Sequence, residues 1–137
     1  MASLESIFKR LNERNHTLTS PRTPEYNCIA FAAGETHRWW WPIGAYWPDN
    51  LPRLESVDGF VLAFETLGYV VCESGNLESG FEKIAIYEKS GKPTHMARQL
   101  SSGKWVSKCG NLEDIEHETL ELLDEYGSVV RFLRRPS

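Results

Sequence analysis

Residues 83–108 read Lys83-Ile84-Ala85-Ile86-Tyr87-Glu88, then Lys89-Ser90-Gly91-Lys92-Pro93, then Thr94-His95-Met96-Ala97-Arg98-Gln99-Leu100, then Ser101-Ser102-Gly103 and Lys104-Trp105-Val106-Ser107-Lys108. The first piece alternates as a strand does, and each Gly-bearing piece is a hairpin turn. Three short β-type pieces joined by tight turns predict an antiparallel meander. On its middle strand, His95, Ala97 and Gln99 share one face, and Met96, Arg98 and Leu100 share the other.

Working upstream, Tyr69-Val70-Val71-Cys72 is a short β-rich run in which Cys72 is expected to be a buried small hydrophobe. Residues 56–68 form the clearest helix. Ser56 caps it, Val57, Phe60, Val61, Phe64 and Leu67 make its apolar stripe, and Gly68 ends it. Residues 35–53 crowd Trp39, Trp40, Trp41, Tyr46 and Trp47 among prolines and predict a long ordered loop, a kind of segment that is often functional. Tyr26-Asn27-Cys28-Ile29-Ala30-Phe31-Ala32-Ala33-Gly34 predicts a short helix with Asn27 as N-cap, Cys28 as first residue and Gly34 as the stop. Residues 15–24 read as loop with His16 exposed, and residues 3–14 as an amphipathic helix capped by Ser3. Downstream, residues 112–125 read as a short acidic helix and Ser128–Leu133 as a last strand. The expected whole is one α+β domain over 1–137, an antiparallel sheet with the Cys28 helix packed on it.

Composition bounds the function. The chain has 137 residues, 41% hydrophobic and 25% charged, with a formal net charge of −4. That charge offers no footprint for nucleic acid or an anionic membrane. No apolar run is long enough to span a bilayer and no signal pattern opens the sequence, so the expected location is cytoplasmic, export as an effector aside. Three cysteines far apart, at 28, 72 and 109, argue against a disulfide framework and against a closed zinc site. No metal and no cofactor are expected.

Cys28 at the start of a helix lies where the macrodipole favours thiolate, which suits a nucleophile, although a Cys in an Ala-rich helix also suits plain packing. A nucleophile needs a base within hydrogen-bond reach. Among four histidines, His95 is the candidate, on a face where Ala97 leaves room for a packed helix. His37 is undecided, and His117, beside Asp114 and Glu116, reads as a charge-paired or capping residue. The tryptophans either wall a cleft beside Cys28 or form a small core over one side of the domain.

This order, a Cys at a helix start and a His on the second strand of a following meander, resembles the papain-like superfamily, with NlpC-type cell-wall peptidases nearest in layout. Tyr26-Asn27-Cys28-Ile29-Ala30, His95-Met96-Ala97-Arg98-Gln99-Leu100, Trp105-Val106-Ser107-Lys108 and Asp114-Ile115-Glu116-His117 also resemble a bacterial domain family of that superfamily. The resemblance covers about residues 26–110. It implies Cys28 as nucleophile, His95 as general base, and the Cys28 amide, aided by Asn27 or Tyr26, as oxyanion donor. A third residue should orient the imidazole, and Ser107, Lys108, Gln99, Asp114 and His117 stay open for that role. The substrate cleft would use Trp39, Trp40, Trp41 and Trp47. The NlpC-type Asp-Cys-Ser-Gly signature is absent, which weakens any link to peptidoglycan.

Two functions follow as expectations. One is a cysteine hydrolase cleaving an amide bond of a peptide, protein or other substrate through a thioester. The other is a catalytically inactive papain-like interaction module, an effector or toxin-associated domain among its forms, that binds through the aromatic loop. Oligomeric state is not legible.

Overall fold

The computed structural model describes residues 3–137. In chain order it contains α1 (Leu4–Ile7), β1 (His16–Ser20), α2 (Cys28–Ala32), α3 (Val57–Glu65) and β2 (Val70–Cys72). β3 (Phe81–Lys89), β4 (Lys92–Gln99), β5 (Trp105–Lys108), β6 (Asp114–His117), a 3-10 helix (Leu120–Tyr126) and β7 (Ser128–Pro136) follow. The seven strands form one sheet in the order β1-β6-β5-β4-β3-β7-β2, with every pair antiparallel. The fold is therefore mixed α+β. Among the described residues no helix is long and apolar enough to cross a membrane.

The meander forms because its turns permit it. Ser90 and Gly91 take φ of 55° and 81°, the left-handed pair that a two-residue hairpin matched to strand twist requires. The chain then leaves β6, crosses the sheet as the 3-10 helix and returns as β7 on the far side of β3. Gly127 makes that return possible: its φ is 109°, and a Cβ there would lie 1.9 Å from the Glu88 carbonyl oxygen.

Both faces of the sheet are covered. On one, α2, α3 and the aromatic loop bury Ile29, Ala30, Trp40, Trp47, Phe60 and Phe64 against Ile84, Ile86, Met96 and Leu133. On the other, the N-terminal segment and the 3-10 helix bury Leu4, Phe8, Leu11 and Leu123 against Ala85, Tyr87, Ala97, Trp105 and Ile115. Strand alternation separates the two sets, as the register Ile86↔Met96 and Ala85↔Ala97 shows.

Four expectations are corrected. The helix expected over 3–14 ends after Ile7, because Phe8 is already extended (φ −100°, ψ 100°); Leu4, Phe8 and Leu11 are buried, but as an irregular segment. The loop over 15–24 contains β1, an edge strand with mostly exposed side chains that pairs with β6. The acidic helix over 112–125 is divided: Asp114–His117 is a strand between β5 and β1, and only Leu120–Tyr126 is helical. Cys72 is half-buried rather than buried.

Candidate functional site

Asn27 caps α2 as its sequence position predicts. Its Oδ1 accepts from the Ala30 amide at 3.1 Å and from the Trp40 amide at 3.0 Å, and its Nδ2 donates to the Trp40 carbonyl at 2.8 Å. One side chain thus starts the helix and ties the aromatic loop to it. One of the two Nδ2 hydrogens is thus committed to Trp40, and Asn27 lines the cleft beside Cys28. Tyr26 is committed as well, since its hydroxyl donates to the Asp114 carboxylate and its ring stacks on Phe31.

Cys28 is half-buried at the start of α2, the helix that packs on β4 and β5. The Leu100 amide bonds Lys104, so the even-numbered amides of β4 point toward β5. The β4–β5 register stops at Arg98↔Val106. The Met96 amide, next in that row, instead acts on the Cys28 sulfur. Burial pushes the Cys28 thiol up to about 11, while the amides of Met96, Cys28 and Ile29 and the charge of Lys108 pull the other way. Desolvation wins, and the resting group is a thiol.

His95 is not brought to it by a hydrogen bond. It is directly opposite Tyr87 on the Ala85/Ala97 face, whereas α2 packs on the Ile86/Met96 face. The imidazole is fully buried, stacked on Tyr126 with centroids 4.0 Å apart and edge-on to Tyr87 at 5.1 Å. Neither ring nitrogen has a hydrogen-bond partner among the described residues. Burial holds its pKa well below 6.5, with His117 adding to the shift. The expected Cys28–His95 pairing is thus corrected.

Ser107 serves a different histidine. Its Oγ lies 2.8 Å from His117 Nε2, and His117 Nδ1 lies 2.9 Å from the Thr119 carbonyl. Nδ1 therefore carries the proton and donates, and Nε2 accepts from the Ser107 hydroxyl. Both residues are fully buried, and burial pulls His117 down to about 4, so the pair braces β5 against β6. Gln99 donates to the Gly75 carbonyl at 2.7 Å, away from Cys28. Lys108 and Asp114, both fully buried, lie 4.0 Å apart; Lys108 also donates to the Leu112 carbonyl.

The tryptophans divide. Trp40 and Trp47 are core residues, 2% and 1% exposed, packed on Phe64 and Phe60, which corrects their expected place in the cleft. Trp39 and Trp41 do wall a cleft of about 420 Å³, together with Ile43, Thr94 and Tyr126, and Cys28 lines it. Trp39 is 43% and Ile43 61% exposed. The Nε1 of Trp39 donates to the Pro24 carbonyl and that of Trp41 to Glu55, which fixes both rings. Thr94 donates to the Tyr126 carbonyl, so Tyr126 joins the cleft to the ring stack over His95.

Ile43, Thr94 and Tyr126 were missed by sequence reasoning. Only their proximity in space marks them, although Thr94 shares the Met96 face and could have been found by strand parity. Among the described residues no group of three His, Cys, Asp or Glu is placed to hold a metal ion. A family model described as a domain of unknown function, DUF7689, matches residues 17–134. No curated protein and no solved structure matches the chain.

Proposed function

We propose, for a chain that belongs to the DUF7689 family, an interaction module that takes a flat apolar side chain of a partner peptide or protein between Trp39, Trp41, Ile43 and Tyr126. The observation that carries this reading is Tyr126, which lines the cleft while covering the imidazole that would have been the base. Burial raises the pKa of the thiol on the cleft wall and no base is hydrogen-bonded to it among the described residues, whereas the apolar walls are already in place. Exposed aromatic side chains held rigid lose little entropy on binding, and such residues carry much of the energy of protein contacts.

The test is a nuclear magnetic resonance titration with short peptides presenting Phe, Leu or Trp. Shifts are expected at the Trp39 and Trp41 indole N–H groups, at Ile43 and at Thr94. They should be lost in Trp39→Ala/Ile43→Ser and kept in Cys28→Ser. Peptide cleavage that disappears in Cys28→Ser would overturn the binding reading.

A second reading, the cysteine hydrolase, is favoured by one observation: the sulfur lines the cleft and the amides of Met96, Cys28 and Ile29 act on it. In that reaction the Cys28 thiolate attacks an amide carbonyl, the protonated amine leaves, and water hydrolyses the thioester. His95, on the other face of the sheet, cannot serve it as base without a rearrangement larger than a moved Tyr126 ring, so its signature would be turnover abolished by Cys28→Ser and kept in His95→Gln.

A further inference from the structure

Lys83–Glu78 and Lys104–Glu116 are lysine–carboxylate pairs in which water reaches at least one partner. Lys108–Asp114 is different, because neither side chain has any solvent exposure. The two residues are directly opposite each other on β5 and β6. Even so, the pair is poorly made. Lys108 Nζ and Asp114 Oδ1 are 4.0 Å apart, too far for a hydrogen bond, and Oδ1 has no hydrogen-bond partner among the described residues. Lys108 Nζ gives one of its three N–H groups to the Leu112 carbonyl. The Tyr26 hydroxyl donates to the other carboxylate oxygen, Oδ2. A buried ion pair offsets its desolvation only with close geometry and satisfied hydrogen bonds, and this one has neither.

A primary amine and a carboxyl group held side by side without water can react with each other. We propose that Lys108 and Asp114 are a latent cross-link, which condenses slowly in the folded chain to an amide between Nζ and Cγ with release of one water. The ammonium first passes a proton to the unbonded Oδ1, leaving an amine and an acid. Uncharged groups suit a dry interior, and burial already lowers the Lys108 pKa. Nζ then attacks Cγ, and negative charge gathers on Oδ2, where the Tyr26 hydroxyl meets it. A second proton moves from Nζ to Oδ1, the Cγ–Oδ1 bond breaks, and water leaves. No oxidant, metal or co-reactant is needed. In bulk water hydration holds such a pair as ions. Here that hydration is absent, and well-oriented neighbours react with effective molarities up to about 10⁵–10⁸ M. Until the bond forms, the two groups remain an ion pair. This site stands independently of the Cys28 cleft.

The experiment incubates the freshly purified full chain for a week at neutral pH and follows intact mass and a tryptic map. A growing fraction one water lighter is expected. Its map should show residues 105–131 as a single fragment, uncut after Lys108 and carrying the whole mass loss. That position is diagnostic, because Asp58-Gly59 can also lose water by closing on its own backbone, but in a different fragment. The same chain held unfolded in guanidinium chloride should not form the uncut fragment, nor should folded Lys108→Arg, which keeps the charge without the nucleophilic amine. Tyr26→Phe should form it roughly tenfold more slowly or worse. The parent chain alone can refute the proposal, so no variant has to fold. Full mass retained throughout, water lost only in other fragments, or an uncut fragment formed equally in denaturant would each overturn it.

Discussion

The imidazole of His95 and the ring of Tyr126 lie face to face, 4.0 Å apart and within 7° of parallel. A neutral imidazole fits that stack, but a protonated one would sit fully buried with no hydrogen-bond partner on either nitrogen among the described residues. The cost falls on the charged form. His117, pulled down to about 4, is held neutral in the same layer. Below pH 6.5 the unfolded chain therefore binds protons that the folded chain refuses, so stability is full above 6.5 and falls as the pH drops toward 4. For His117 alone the loss is on the order of 3 kcal/mol at most. Urea melts between pH 7 and 4.5 should show the decline, and His117→Gln should flatten part of it. A stability independent of pH across this window would contradict the buried neutral imidazoles.

Cys28 alkylation gives the sharpest separation of the two functional readings. With the thiol at about 11 rather than 9.0, the thiolate fraction at pH 8 is about a hundredfold lower. Iodoacetamide labelling followed by mass spectrometry should be slow at Cys28 and rise roughly tenfold per pH unit to beyond pH 10. A rate already level at pH 8 would mean a stabilised thiolate and would favour the hydrolase.

Asn27→Ala should be more damaging than an ordinary lost cap. A cap alone is worth about 1 kcal/mol. Here the same side chain also satisfies the Trp40 amide and carbonyl, and leaving those groups unpaired adds about 1–3 kcal/mol. A loss of about 2–4 kcal/mol is expected by urea denaturation, against about 1 kcal/mol for Ser56→Ala at the cap of α3. Equal losses would mean that the loop is held by Trp40 packing rather than by Asn27.

These contrasts also mark what the sequence could convey. Asn27 and Ser56 were readable because a cap is a local device, and Ser90-Gly91 because a turn is. The parity of His95, Ala97 and Gln99 was readable too, but not which face would receive α2. Ala85, Ile86, Met96 and Ala97 are all buried, so neither side of the strand carries a polar mark of solvent. Asp114–His117 reads as part of a helix because so short a strand has no resolvable period. Its burial comes from β1 and β5, which are distant in sequence.

Lys108 and Asp114 supply the remaining prediction. Both are fully buried and 4.0 Å apart, with Tyr26 donating to the acid and Lys108 to the Leu112 carbonyl. Two charges withdrawn from water hold each other at a desolvation cost close to their attraction, so a buried pair adds little net stability, while breaking it strands one charge. Lys108→Met should therefore cost about 3–5 kcal/mol, and Asp114→Asn a comparable amount. The double variant should recover most of that loss, because no unpaired charge remains. A double-mutant cycle in urea gives the coupling directly, and additive losses would mean that the two groups are solvated independently. The cycle has a second readout. Lys108 pulls the Cys28 pKa down, so the Lys108→Met variants should alkylate still more slowly at Cys28 than the parent at the same pH.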